Sequence, residues 1–237
     1  MTYAGDMNAD TVIVITGAKT GIGLELVKQA AKKGARIIAG VRGAAGAREL
    51  LSAIGPRGDV LELDVTSDSS VRAFADQLRT RAKCIDVLIN NAGIYRDGSA
   101  SIETIDSSMI LESFDANAAG PVRVTQSLLP FLRAAQAPKV ITVTSAMGSL
   151  SDNKSGGAYA YRMSKAAANM FVRNFAVDER EITSVAVHPG WVKTKMGGAG
   201  APLEPAKSAE GLWTVIESIT PSDSGKFFNH AGRELPW

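Results

Sequence analysis

The chain has 237 residues, 45% of them hydrophobic, enough for one substantial core and short for two, so a single domain over 1–237 is expected. Its 26 lysines and arginines nearly balance 24 acids, leaving a formal charge of +2 with no block of like charge at either end, which points away from nucleic acid as a partner. No apolar run approaches the roughly 18 residues that span a bilayer, and Met1–Asp10 lacks the basic-then-apolar order of a secretory signal, so a cytoplasmic protein with no membrane partner is expected.

The first apolar run, Thr11 to Thr16, contains VIVIT, hydrophobic on successive rather than alternate positions. That pattern suits a strand covered on both faces by helices. It leads into TGAKTGIG and then a helical pattern over Ile22 to Lys33. Further strands are predicted at Ala35 to Val41, Val60 to Leu63, Ile85 to Asn90, Val140 to Thr144 and Ser184 to His188, with a short last one near Gly225 to Asn229. Between them, helical spacing runs over Ser69 to Arg81, Asp106 to Leu132, Tyr159 to Arg180 and about Ala206 to Ser218. Alternation of this kind predicts an α/β fold, a doubly wound and mostly parallel sheet of about seven strands with helices on both faces. Gly197 to Pro205, GGAGAPLEP, suits neither a helix nor a central strand, and 195–205 is expected to be a mobile substrate loop. Cys84, the one cysteine, reads as a packed thiol in a reducing compartment.

Gly17, Gly21 and Gly23 sit between a strand and a helix, where glycines let the backbone turn tightly and approach a pyrophosphate. The following helix offers that anion its free amides and positive end. Tyr161 and Lys165, four apart on a predicted helix, project from one face and can reach one reacting centre. A neighbouring ammonium favours the phenolate, which predicts a phenol that exchanges protons more easily than its usual pKa near ~10 allows. Ser145 follows VITV and stands at the carboxyl end of a strand, the side on which open parallel sheets bind ligands. Ser149 and Thr144 are the alternatives to it.

Four motifs, Thr16 to Gly23, NNAG at Asn90 to Gly93, YRMSK at Tyr161 to Lys165, and the pair Pro189 and Gly190, stand together in the order found in short-chain dehydrogenases/reductases. The chain resembles that family from Thr11 onward. Within it, SAMGSLSDNKSGGAYAYRMSKAAANM and HPGWVKTKMGG are similar to the branch containing sniffer-type carbonyl reductases and the bacterial C-factor.

The resemblance implies an NADP(H)-dependent oxidoreductase acting on a small carbonyl or alcohol. It assigns proton donation to Tyr161, tuning of the phenol and holding of the ribose to Lys165, and holding of the substrate oxygen to Ser145. Asn117, in FDANAAG, matches the asparagine that helps hold a water linking the lysine to solvent. For the cofactor it implies Gly17, Lys19, Thr20, Gly21, Ile22 and Gly23 at the pyrophosphate turn. Asp64 and Val65 fall at the adenine, Asn91, Ala92 and Gly93 along the adenosine ribose, and Pro189, Gly190, Val192 and Thr194 near the nicotinamide. Where an acid would bond the ribose diol, this chain has Val41 and then Arg42, a guanidinium suited to a 2′-phosphate, with Lys19 adding charge nearby. No metal is implied, and His188 and His230 read as structural. Homo-oligomers are common in the family, so one is an expectation here. Two other functions fit the resemblance: a dinucleotide-binding signalling protein of C-factor type with little turnover, and an NAD-linked alcohol dehydrogenase.

Overall fold

The segment VIVIT forms β1 (Val12–Thr16) with every residue buried, because both faces of the strand meet helices. Alternate side chains part to opposite faces. Ile13 and Ile15 join one core with Leu26 and Trp213, while Val12 and Val14 join the other with Phe74 and Leu128. Each such aliphatic side chain, once fully buried, contributes on the order of 1.5–3 kcal/mol. The computed structural model describes residues 10–43, 47–98 and 100–237; Met1 to Ala9, the bulk of the segment read above for a signal, lie outside the described residues.

In chain order β1 is followed by α1 (Gly21–Lys32), β2 (Arg36–Val41), α2 (Arg48–Ile54), β3 (Asp59–Glu62), α3 (Asp68–Arg79), β4 (Val87–Asn90), α4 (Ser107–Phe114), α5 (Gly120–Arg133), β5 (Lys139–Val143), α6 (Tyr159–Asp178), β6 (Thr183–His188), α7 (Pro205–Ser218) and β7 (Phe227–Asn229). The strands make one seven-stranded sheet in the order β3-β2-β1-β4-β5-β6-β7, and every neighbouring pair is parallel. The chain reverses its direction of growth between β1 and β4. That switch point opens a crevice at the carboxyl ends of the strands, where the loops after β1, β4, β5 and β6 meet.

Local chemistry fixes the helix starts. Ser67 accepts a bond from the Ser70 amide at the head of α3, and Asp106 one from the Ser108 amide at the head of α4; such caps contribute about 1 kcal/mol each. The buried Trp213 indole donates to Leu26 O at 3.1 Å and ties α7 to α1. Two elements differ from the sequence reading. The helix α2 was not predicted, since RELLSAI is too short to show a period. The helix predicted from Asp106 to Leu132 is interrupted at Asp115–Ala119 by a π-helical turn between α4 and α5. A wider turn of this kind inserts an extra residue and re-aims a side chain, and π turns concentrate at functional sites. Here the side chain at its centre is Asn117.

Candidate active site

The glycine turn is built by close approach of backbone. Gly17 has φ +64°, and a Cβ there would stand 2.8 Å from Ala92 Cα; at Gly23 it would stand 2.4 Å from Gly17 O and 2.6 Å from Asn91 Nδ2. Thr16 and Asn91 staple the loop after β4 to this turn. The Thr16 hydroxyl accepts from the Asn91 and Ala92 amides, both at 3.0 Å, and Asn91 Nδ2 donates to Thr16 O at 2.9 Å and Gly17 O at 3.2 Å. Asn91, expected along the adenosine ribose, thus spends its amide nitrogen on the turn. Thr20 stands at the N-cap of α1 in extended conformation without a side-chain cap bond, and no acid lies in the first turn. An anion can therefore reach the helix amides without competition from a neighbouring carboxylate. Ile22 is partly buried against the core beneath.

At the end of β2, Val41 is buried and Arg42 exposed. Lys19 Nζ donates to Gly43 O at 3.5 Å, which brings both cations to the same edge of the crevice. Burial raises the Asp64 pKa, but the Thr66 hydroxyl and amide, with the Arg42 charge, outweigh it and hold the carboxyl below its ordinary value. Asp64 Oδ1 accepts from Thr66 Oγ1 at 2.7 Å and Thr66 N at 3.0 Å. Val65 is buried; its Cγ2 would lie 2.9 Å from a Cβ on Gly120, so a glycine there lets α5 close over it.

Ser145, Tyr161 and Lys165 come together where β5 ends and α6 begins. Ser145 caps a short 3-10 turn, Ala146–Gly148, by accepting from Met147 N at 3.1 Å, and it stands near enough to the Tyr161 phenol to favour the ionised form. Ser149, one alternative, accepts from Asp152 N at 3.2 Å, and the hydroxyl of Thr144, the other, is buried without a partner among the described residues. Lys165 is 5% exposed, donates to Val143 O at 2.9 Å, and lies 5.7 Å from the centroid of the Tyr161 ring. Burial pushes the Tyr161 phenol up to about 12, with Ser145 opposing and Tyr95 adding. Burial also lowers Lys165 to about 8. Both effects run against the lowering expected from the ammonium alone: the amine spends a bond on a backbone carbonyl, and desolvation dominates at the phenol.

Asn117 Oδ1 accepts from Ile94 N at 2.8 Å, while Nδ2 donates to Ile94 O at 2.9 Å and Ser164 Oγ at 3.0 Å. A Cβ on Gly93 would meet Asn117 Oδ1 at 2.9 Å and Lys165 Nζ at 3.5 Å, so only a glycine lets this backbone pack against the two side chains.

After β6, Gly190 takes φ +87° against Leu203 and His230, and Val192 is buried in a parallel bridge to Leu203. Thr194 reaches back to the glycine turn, its Cγ2 3.3 Å from the Cβ position of Gly21. Pro189 O accepts from the buried Ser208 hydroxyl at 2.6 Å, which seats this turn on α7. The loop beyond folds on itself: Trp191 Nε1 donates to Gly197 O at 2.8 Å, Lys193 N to Leu203 O at 2.8 Å, and Ala201 is buried. Its exposed tip narrows to 198–200. Burial, then the adjoining His230, lowers His188 to about 4, so it is neutral near pH 7.

Sequence reasoning missed Tyr95 and Asp97. The Tyr95 ring meets that of Tyr161 edge-on at 4.9 Å between centroids, and the buried Asp97 accepts from the first amides of α6. A sequence offers no signal for a cap supplied from 63 residues away.

Comparison with known proteins adds to this geometry. Residues 11–202 match the family described as short chain dehydrogenase. The C-signal of Myxococcus xanthus is 47% identical over 169 residues, covering 70% of this chain and all of that protein. The 1-hydroxy-2-glutathionyl-2-methyl-3-butene dehydrogenase of Rhodococcus sp. is 34% identical over 238 residues, covering 96% of this chain and all of that one. Among solved structures, an NADPH-bound carbonyl reductase from chicken fatty liver superposes with a TM-score of 0.90 at 32% identity, covering 98% of this chain and 100% of that one. The carbonyl reductase Sniffer of D. melanogaster gives 0.88 at 30% identity, covering 96% and 99%.

Proposed function

Since this chain belongs to the short-chain dehydrogenase family, a family of nicotinamide-dependent oxidoreductases, we propose that it is an NADPH-dependent reductase of small aldehydes or ketones, with Ser145, Tyr161, Lys165 and Asn117 as its catalytic set. The observation that carries the reading is the convergence of Ser145, just past the carboxyl end of β5, with Tyr161 and the buried Lys165, whose amine donates to Val143 O at 2.9 Å and lies 5.7 Å from the centroid of the Tyr161 ring. Its likeness to carbonyl reductases, one of them NADPH-bound, supports the same substrate class.

The residues present fit a dinucleotide. Gly17 and Gly23 leave backbone where any Cβ would clash, the head of α1 offers its amides to a pyrophosphate, and Arg42 with Lys19, at one edge of the crevice, would hold a 2′-phosphate. When bound, the reduced nicotinamide supplies hydride to the carbonyl carbon. Ser145 and Tyr161 hold the carbonyl oxygen between two hydroxyl donors, stabilising the charge that develops on it. Tyr161 Oη then gives its proton to that oxygen. A phenol held protonated by burial suits the reductive direction. Lys165, with a pKa lowered to about 8, can lose and regain a proton near neutrality and recharge the phenol, with Asn117 and the backbone of Gly93 packed beside it.

A second reading, favoured by the 47% identity to the C-signal, is a signalling protein that binds NADPH with little turnover. A panel of aldehydes, ketones and diketones, followed by loss of NADPH absorbance, separates the two. Steady oxidation by any member that is abolished in Tyr161→Phe supports the reductase; tight NADPH binding without oxidation across the panel overturns it in favour of signalling. Faster turnover of an alcohol with NAD would point to the oxidative enzyme.

A further inference from the structure

The helix that carries Tyr161 and Lys165 starts without a cap of its own. Ala158, at its N-cap, has no side-chain acceptor and takes a left-handed backbone, φ +46°, which a non-glycine residue holds only when its surroundings impose it. The first amides of α6 are satisfied from elsewhere: Asp97 Oδ2 accepts from Ala160 N at 2.8 Å and stands 3.4 Å from Tyr161 N. Asp97 comes from the loop after β4 and is 3% exposed, and its other oxygen, Oδ1, is buried without a partner among the described residues. A carboxylate so buried is stable only against compensating donors, and a helix N-terminus supplies both amides and positive potential.

The same short loop touches Tyr161 twice. Two residues before Asp97, Tyr95 packs its ring on the Tyr161 ring, and its hydroxyl donates to Gly98 O at 2.9 Å, closing the loop on itself. On the other side Arg162 donates to Gly156 O and Gly157 O, each at 3.1 Å, to Met147 O at 3.3 Å and to Ser155 Oγ at 2.8 Å, fixing the approach to the helix. A serine or aspartate at the N-cap itself would serve stability equally well. A cap delivered from the loop after β4 does more, because that loop also carries Asn91 to Gly93 and is stapled to the glycine turn.

We propose that Asp97 is a positioning residue for the reaction: by capping α6 from across the crevice it sets Tyr161 against Ser145 and ties that position to the loop that lines the cofactor cradle. The inference rests on Tyr161 being the proton donor. The ionisable and polar groups around the phenol are the Ser145 hydroxyl, Tyr95 and Lys165, with Asp97 and Arg162 acting with opposite sign at Tyr95. Asp97 opposes ionisation of Tyr95, and a buried negative charge at the head of the helix that carries Tyr161 disfavours a second one on that phenol as well.

The test uses the full chain with Asp97→Asn, which keeps an acceptor but loses the charge, and Asp97→Ala, which loses both. For Asp97→Ala, kcat is expected to fall about tenfold or more through misplacement of the phenol, with KM for NADPH held within about twofold. Asp97→Asn is expected to keep kcat within about threefold while the alkaline limb of the pH profile moves to lower pH. An unchanged kcat in the alanine variant, or a fall in kcat matched by an equal rise in KM for NADPH, overturns the proposal. If Asp97→Ala does not fold, the asparagine variant decides, and a pH profile identical to wild type overturns it. Should no carbonyl be turned over, ultraviolet titration of the phenols, with Tyr161→Phe as the subtraction, replaces the rate. Ionisation of Tyr161 at lower pH in Asp97→Asn then supports the placement even though the reductase reading has failed, and ionisation at the wild-type pH overturns it.

Discussion

The two sides of the crevice are built by different means. On the side of β1 and β4, the chain is fixed by backbone contact and buried polar groups: Thr16 and Asn91 bond across the two loops, and Gly17 and Gly23 lie so close to neighbouring backbone that no side chain fits. On the side of β5 and β6, Gly156, Gly157, Gly198 and Gly200 have nothing within 4 Å of a Cβ position, and Leu150, Trp191 and Met196 remain exposed. The difference follows from what each side would have to hold. A dinucleotide has one shape, and a rigid backbone cradle can match it; a substrate-facing edge held at a few points can accept several shapes. Between the two stand Ser145 and Tyr161, where the proposed cofactor and substrate would have to meet.

The largest break in that arrangement is expected at the meeting point. Tyr161→Phe keeps the ring against Tyr95 but removes the transferable proton, so turnover should fall by about a hundredfold or more while NADPH affinity stays close to wild type. Retention of more than about a tenth of the rate, a loss under ~1.4 kcal/mol, would make proton donation by this residue untenable. Next in size is the cradle itself. In Gly23→Ala the added methyl would stand 2.4 Å from Gly17 O, a backbone atom that cannot swing aside. Overpacking of that kind costs about 1–3 kcal/mol, and the turn must open to relieve it. NADPH affinity measured by titration should drop along with the denaturation midpoint, and an unchanged affinity would show that the turn is not a close-packed cradle.

A smaller effect is expected at the outer edge of the cofactor side, where charge and not packing acts. Arg42 is exposed and stands close enough to Asp64 to help hold its carboxyl below the ordinary range. Arg42→Ala should reduce the preference for NADPH over NADH by about tenfold, roughly the ~1.4 kcal/mol of one charge-assisted contact, with the fold intact. Equal kcat/KM for the two cofactors in the unmutated protein would refute the assignment of this arginine to the 2′-phosphate.

The two sides also differ in how far the sequence reveals them. The strands were legible because both their faces are covered, so VIVIT and VLIN are apolar at successive positions and end at glycine or asparagine. The glycine turn and the pair Tyr161 and Lys165 were legible because their geometry is local, a tight turn in one case and one helical turn in the other. What escaped is non-local. Asp97 reaches the head of α6 across 63 residues, and no spacing rule connects an aspartate in a loop to a helix that lacks its own cap. Asn117 was legible as a residue but not in its placement, since no residue type in the segment marks the π turn that aims it at Ile94. The balance at the phenol was not legible either, because four-residue spacing says that two groups are near and nothing about desolvation, which raises the Tyr161 pKa here.

The smallest expected effect sharpens the comparison from the substrate side. The loop after β6 is bonded at both ends, by Trp191 to Gly197 and by Lys193 to Leu203, Gly198 N donates to Thr194 O at 2.9 Å and Ala201 is buried, so within the exposed tip at 198–200 the backbone is held least at 199–200. Gly200 has no left-handed φ and open space at its Cβ position, in contrast to Gly23, so Gly200→Ala should shift stability by no more than about 0.5 kcal/mol in either direction. Its consequence should instead be kinetic. A tip that closes over substrate exchanges its amide hydrogens quickly in the free protein and slows when cofactor and a substrate analogue are bound together. Gly200→Ala, by removing backbone freedom from the open form, should lessen that ligand-dependent change without altering NADPH affinity. Hydrogen exchange over 198–200 reads this directly: slow exchange without ligand, unchanged on adding both, would mean that the tip is a fixed wall and that both sides of the crevice are equally rigid.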